Sequence, residues 1–398
     1  MKVSTDEKLI RETLTRSVDK VYPTSSALET AMRAGKRLRM YLGVDPTGPH
    51  LHLGHATNLL LLRRLQELGH EIILLIGDFT ARIGDPTDKL AARQPLTTNE
   101  IKENLKTFKK QASKIISFSG PNAARIQFNS KWHDKMTFKE LIKLAEIFTV
   151  QQMIERDMFQ NRMKAGKPIG LHEFLYPLMQ GYDSVAMDVD MEIGGTDQTF
   201  NMLAGRTLLK VLGGKEKFVV TTKLLLDPLT GKKIMNKSEG GLVNLDDSAN
   251  DMFGKVMSLK DSAIVPVAEF STTMSATDIQ DLANIKNPKD AKLRVAYEVV
   301  RTYHDEKSAN AAQEEWEHVF SERGTPDEMP DLESSPNIPA AELVALTGVS
   351  KSEARRLLDQ KAVELDGHVL ETPTEKLNLK SGTILRVGKK KFFRIKVK

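Results

Sequence analysis

Three short stretches of the 398-residue chain hold side chains whose types and spacing could do chemistry. In YPLMQGYD, Tyr176, Gln180 and Asp183 fall at i, i+4 and i+7, so a helix would stack a phenol, an amide and a carboxylate on one face. A core-facing helix carries apolar side chains at that spacing. This face is either simply wet or built to grip a small polar ligand. In YLGVDPTGPHLHLGH, His52 and His55 are three apart at the start of a helix, beside backbone N–H groups that favour anions. Gly54 between them leaves bare backbone for a flat base, and Asp45-Pro46-Thr47 lies just upstream. The stretch matches neither G-x-G-x-x-G nor a P-loop, and two histidines without a third ligand nearby are a poor zinc site, so no metal is expected. The third stretch, LTGKKIMNKSEGG, packs Lys232, Lys233, Lys237, Ser238 and three glycines into one loop. Alone it would be a solvated basic loop; with the histidine helix it could form the other half of a triphosphate clamp.

These side chains need elements to position them. LRMYLGV (Leu38 to Val44) and HEIILLIGD (His70 to Asp78) are short apolar runs with a helical stretch from about Leu53 to Leu68 between them. That order predicts a βαβ unit of a parallel sheet. RIQFNS, MDVDMEI and KFVVTT supply further strands. Thr97 with Glu100 and Thr137 with Glu140 have capping-box spacing. From about Asp246 strand signals stop, and Asn287-Pro288 opens a helical stretch running to about Phe320. RGTPDEMPDLESSPNIP has the composition of a linker. Beyond it, two short helices, the second capped by Ser350, precede an Asp366-Gly367 hairpin and two strands in GTILRVGKKKFFRIKVK. The expected organisation is an α/β domain over 1–224, a loop and helical domain over 225–325, a linker over 326–337 and a small α+β domain over 338–398.

Hydrophobic residues make up 40% and charged residues 28%, ordinary for a globular chain. The absence of cysteine excludes a disulfide, a thiolate nucleophile and cysteine-held zinc, and fits a cytoplasmic protein. No apolar run approaches a membrane span and Met1 to Ser17 is too polar for a signal peptide, so no membrane role is expected. From Ile338 to Lys398 lysine and arginine outnumber acids 13 to 7, a net of +6 against +5 for the whole chain. A polyanion is the natural partner for that tail.

HLGH resembles the His-Ile-Gly-His signature of class I aminoacyl-tRNA synthetases, and Met235-Asn236-Lys237-Ser238 resembles their Lys-Met-Ser-Lys-Ser loop. Ile234 stands where that loop often begins with lysine, and Asn236 replaces a serine. YLGVDPTGPHLHLGH, IGDPTDK, YPLMQGYD and IGGTDQTFN, in that order, look like the bacterial type of tyrosyl-tRNA synthetase, and the tail is similar to the S-four-like RNA-binding domain many such enzymes carry. The resemblance implies a Rossmann-like catalytic domain and a helical domain meeting the anticodon. It implies a homodimer formed through the segment near 110 to 165. It also implies a reaction that joins L-tyrosine to tRNA(Tyr) at the expense of ATP, with Mg²⁺ arriving on the nucleotide. Tyr176 and Gln180 would hold the tyrosine ammonium, with Asp85 as countercharge. Tyr41 and Asp183 would bond the phenolic hydroxyl, and Asn129 and Gln198 would line the same pocket. Thr47, His52, His55 and Lys237 would act on the ATP phosphates, while Asp45, Gly54, Asp197 and Ser238 complete the nucleotide site. Lys351, Arg355, Arg356, Lys389, Lys390 and Lys391 would meet RNA. The same chemistry on tryptophan, a small nucleotidyltransferase and a non-catalytic RNA-binding paralogue stay open as alternatives. The Tyr41 and Asp183 pair suits a hydroxyl, the helical domain and basic tail suit RNA, and the intact histidines suit catalysis.

Overall fold

The computed structural model describes residues 2–87, 96–235, 241–320, 329–388 and 391–398. The run Glu71–Ile76 is apolar at nearly every position, the pattern of a strand covered on both faces. It is β3 of a six-stranded sheet whose other members are β1 (Val18–Tyr22), β2 (Arg39–Val44), β4 (Arg125–Phe128), β5 (Met191–Gly195) and β6 (Phe218–Thr222). Their order is β1-β6-β5-β2-β3-β4. All neighbours run parallel except β1, which pairs antiparallel with β6. The chain leaves β2 toward β3 on one side, and β5 later returns to its other side. The crevice beyond the ends of β2 and β5 is thus the topological switch point, where open α/β sheets bind ligands.

The helix Leu53–Glu67 connects β2 to β3 and buries Leu53, Leu59, Leu60, Leu61, Leu62 and Leu65. The helices Leu175–Ala186 and Thr199–Gly213 cross where Gly181 meets Gly205, so closely that a Cβ on either would come within 3.3 Å of the other's Cα. Both capping boxes expected from the sequence form, at Thr97 with Glu100 and at Thr137 with Glu140.

Four local expectations differ from the structure. β1 has no counterpart in the sequence reading: VDKVY exposes Asp19 and Lys20 and is held only as an edge strand by β6. In MDVDMEI the strand begins late, at Met191, because Asp188 turns the chain at φ +47°. The helical stretch to Phe320 is two helices, Pro288–Tyr303 and Glu306–Phe320, interrupted at His304, with the Asp305 carboxylate accepting from Ser308 N at 2.7 Å. The segment expected as a linker holds two strands. Asp331–Ser334 pairs parallel with Lys391–Val397, and Asn337–Pro339 pairs antiparallel with Lys376–Asn378. Its prolines and acids conceal Leu332 and Ile338, which pack on an apolar core.

By internal contacts the chain divides into residues 1–312 and 313–398. In the second unit the helices Ala340–Leu346 and Lys351–Asp359 and the strands Val363–Leu365, Ile384–Val387 and Lys391–Val397 enclose a core of Leu343, Val344, Leu358, Leu385 and Ile395. No helix of the described residues is long and apolar enough to cross a membrane.

Candidate active site

A cleft of about 310 Å³ opens at the switch point, lined from the ends of β2, β3 and β5 and from the helix Leu175–Ala186. Fourteen of the sequence-selected residues line it together: Tyr41, Asp45, Thr47, His52, Gly54, His55, Asp85, Asn129, Tyr176, Gln180, Asp183, Asp197, Gln198 and, from the basic loop, Lys233. Lys237 and Ser238 lie outside the described residues, as do Lys389 and Lys390.

At the closed end sits Asp183, 2% exposed. Its Oδ1 accepts from Trp132 Nε1 at 2.8 Å and from His133 Nε2 at 2.7 Å, and its Oδ2 accepts from Asn129 Nδ2 at 3.3 Å. Asn129 is itself fixed by Phe79 N and Thr80 Oγ1. Burial raises the Asp183 carboxyl above its ordinary range, and the three donors pull it back toward the ionised form. Oδ2, with one long bond, retains capacity for another donor. Nearby, Tyr41 is fully buried, bonds Ser184 Oγ at 2.9 Å and is kept a neutral phenol by burial and by Glu192 and Asp183.

In the middle, Tyr176 donates to Asp45 Oδ2 at 2.8 Å, while Asp45 Oδ1 accepts from Thr80 Oγ1. Gly77 makes room for this, since a Cβ there would collide with both the Asp45 carboxylate and the Thr80 hydroxyl. Burial, then Asp45 and Asp85, raise the Tyr176 phenol, so its oxygen is an un-ionised acceptor toward the cleft. Gln180 donates its amide to Glu192 Oε1 at 3.0 Å, which leaves its carbonyl oxygen as the free end. Asp85 accepts from Thr87 and, at 2.7 Å, from Gln198 Nε2. The result is a ring of oxygen acceptors and carboxylates suited to an ammonium group.

At the open end lie the histidines. His52 is the N-cap of its helix, and its Nδ1 accepts from Gly54 N; His55 Nδ1 accepts from His52 N; both distances are 3.1 Å. The ring centroids are 4.0 Å apart. The helix-terminal amides expected to face an anion are therefore largely spent: those of residues 52 and 54 on imidazole, that of 55 on the His52 carbonyl. With both Nδ1 atoms accepting, each neutral ring carries its proton on Nε2 and presents that N–H as donor. Burial lowers His55 to about 4, so it acts as a neutral dipole and not as a cation. The bare face expected over Gly54 is occupied by the His52 ring, whose atoms a Cβ would meet at 2.9 Å, with Met235 beyond it.

Described residues of the basic loop and just past it are tied down beside these histidines: Ile234 N bonds Leu225 O, Leu53 N bonds Val243 O and Leu245 N bonds Leu51 O. Lys233 reaches Asp197 Oδ2 at 2.8 Å.

Several residues of the site were not singled out by the sequence: Trp132, His133, Ser184, Glu192, Lys217 and Arg156. Arg156, lowered to about 10 by burial, lies over the Phe200 ring and donates to Thr87 beside Asp85. The signal for Glu192 and Lys217 was a charge inside or flanking an apolar strand run. Lys351, Arg355, Arg356 and Lys391 lie exposed on the second unit, with Arg356 tied to Glu353 at 2.6 Å.

The family model described as tRNA synthetases class I (W and Y) matches residues 33–321. A tyrosine–tRNA ligase of Moorella thermoacetica is 42% identical over 96% of this chain and 94% of its own length. One from Thermotoga maritima is 42% identical over 96% of both. Among solved structures, a C-terminally truncated mitochondrial tyrosyl-tRNA synthetase of Aspergillus nidulans superposes with a TM-score of 0.67 at 23% identity, covering 79% of this chain and 94% of that one. A tyrosyl-tRNA synthetase of Archaeoglobus fulgidus complexed with L-tyrosine gives 0.59 at 22% identity, over 77% of this chain and 99% of that one. The family-model match over residues 33–321 and the near-full-length identity place the chain in the tyrosine–tRNA ligase family of class I tRNA synthetases.

Proposed function

We propose that the chain activates L-tyrosine with ATP, releasing pyrophosphate, and transfers the tyrosyl group to the 3′ end of tRNA(Tyr) in the cytoplasm. The observation that carries the reading is the buried Asp183, held by three donors with acceptor capacity left on Oδ2 at the closed end of the cleft. A phenolic hydroxyl completes that carboxylate; a phenylalanine ring leaves Oδ2 under-satisfied, at a cost of about 1–3 kcal/mol. An indole N–H is the second donor to weigh, since the family model spans tryptophan enzymes as well. Tyr41, placed beside Asp183 with a hydroxyl of its own, favours a ligand that both donates and accepts, which phenol does and indole does not.

With the phenol at Asp183 and Tyr41, the ammonium falls to Tyr176, Gln180 and Asp85, and the carboxylate points to the open end. There its oxygen attacks the α-phosphorus of ATP and pyrophosphate departs. Negative charge grows on the phosphoryl oxygens and leaving group, so the protein's part is positioning and electrostatic stabilisation. The Nε2–H groups of His52 and His55, the Thr47 hydroxyl and the Lys237 ammonium supply it, with Asp197, Gly54 and Ser238 lining the nucleotide. Asp45 organises Tyr176. Mg²⁺ comes with the triphosphate, held by its oxygens. Tyrosine-dependent exchange of pyrophosphate into ATP tests the whole reading: exchange with tyrosine and none with tryptophan is expected, and exchange with tryptophan alone would overturn it.

We read residues 225–325 as meeting the anticodon and 338–398 as gripping RNA through Lys351, Arg355, Arg356 and Lys389 to Lys391. A homodimer through the segment near 110 to 165 is supported by Phe138 and Val150, which are 77% and 71% exposed and apolar.

A further inference from the structure

Lys217 immediately precedes β6 and has its side chain fully buried, a rare position for lysine. Its ammonium forms an ion pair with Glu192 and donates to Ser184 Oγ at 2.8 Å. Space for it comes from Gly205, where a Cβ would lie 2.6 Å from Nζ and 2.9 Å from Ser184 Oγ. Neither partner is idle. Glu192 Oε1 accepts the Gln180 amide, and Ser184 Oγ bonds the Tyr41 hydroxyl. The helix Leu175–Ala186 carries Gln180, Asp183 and Ser184, so one cation lies behind its ligand-facing residues.

We propose that Lys217 is a positioning residue for amino-acid recognition, its ammonium setting the hydrogen-bonding direction of Gln180 through Glu192 and of Tyr41 through Ser184. The inference rests on the reading of the cleft as the tyrosine pocket. A primary amide can turn either end toward a ligand. The Glu192 carboxylate, paired with Lys217, accepts the NH₂ end of Gln180 at Oε1, so the carbonyl oxygen faces the ammonium. On the other arm, Lys217 donates to Ser184 Oγ and fills one of its two lone pairs, which favours a serine proton directed to the Tyr41 oxygen at 2.9 Å over the longer contact to Glu192 Oε2 at 3.5 Å. The Tyr41 proton is then free for the substrate phenol, whose own proton goes to Asp183. Without Lys217 both groups regain an alternative orientation, and the site loses its preference for a hydroxylated ring.

The test compares pyrophosphate exchange by Lys217→Met with Glu192→Met, which removes the whole bridge and strands no buried charge, and by Ser184→Ala, which removes one hydroxyl. For the double variant we expect the KM for tyrosine to rise about tenfold, the preference for tyrosine over phenylalanine to fall about tenfold, and the KM for ATP to stay within twofold. Ser184→Ala should lower the preference with an unchanged thermal midpoint. Parental KM and preference in the double variant, or an equal rise in the KM for ATP, overturns the proposal. Should the double variant not fold, unchanged preference in Ser184→Ala overturns it. Gln180→Ala and Tyr41→Phe serve as controls: parental kinetics in those two would sink the reading of the pocket itself and not merely the role of Lys217.

Discussion

A carboxylate sealed from water serves a substrate only if its protein partners leave an oxygen under-satisfied. Asp183 meets that condition, with two short bonds on Oδ1 and one long one on Oδ2. Asp183→Asn should cut kcat/KM for tyrosine by about 10- to 100-fold and largely erase selection against phenylalanine, measured by exchange with each amino acid. An unchanged ratio would remove Asp183 from recognition. His55→Ala should lower the maximal exchange rate by about 10²-fold with tyrosine affinity, read by equilibrium binding, unmoved. Lys237→Ala should behave the same way. Both His55 and His70 are held by burial near pKa 4, below the usual 6.5. Their unfolded forms take up protons first, so they contribute stability that is complete above about pH 6.5 and lost as pH falls toward 4. Urea midpoints should drop through that window, and His70→Asn should flatten the slope.

At the scale of elements, the site depends on close approach of two helices. Gly205→Ala places a methyl against both Lys217 Nζ and Ser184 Oγ, and should cost about 1–3 kcal/mol in denaturant unfolding while raising the KM for tyrosine. The sequence was legible where the information is local. The capping boxes at Thr97 and Thr137, the Asn287 cap and the Asp366-Gly367 turn are written within four residues and form as read. The i, i+4, i+7 face of YPLMQGYD is likewise local geometry. What was not legible needs partners far along the chain. VDKVY becomes β1 only because β6, some 200 residues later, offers an edge. Lys217 and Glu192 each show only as a charge beside apolar residues, and nothing in the spacing says that the fold pairs them. His133 carries no signal in the sequence until the fold brings it to Asp183. The gathering of Asp85, Asn129 and Gln198 came from family resemblance, not from pattern.

At the scale of the whole molecule, the proposed function assigns adenylate formation to the first unit and a grip on RNA to the second. Removal of residues 329–398 should spare tyrosyl-adenylate formation and lower tRNA charging, with the deficit largest at low salt and narrowing as salt screens the tail's phosphate contacts in the full chain; intact charging across salt would sever the tail from RNA binding. Phe138→Asp combined with Val150→Asp should halve the sedimenting mass if the exposed apolar side chains after β4 join two copies. The choice of 329 as the cut follows from the parallel ladder of Asp331–Ser334 on Lys391–Val397. A frameshift or bulky fusion that spoils the second of these strands leaves the first as a naked edge sixty residues upstream, open to adhesion with other chains. Damage written at one end of this unit would thus surface as aggregation at the other.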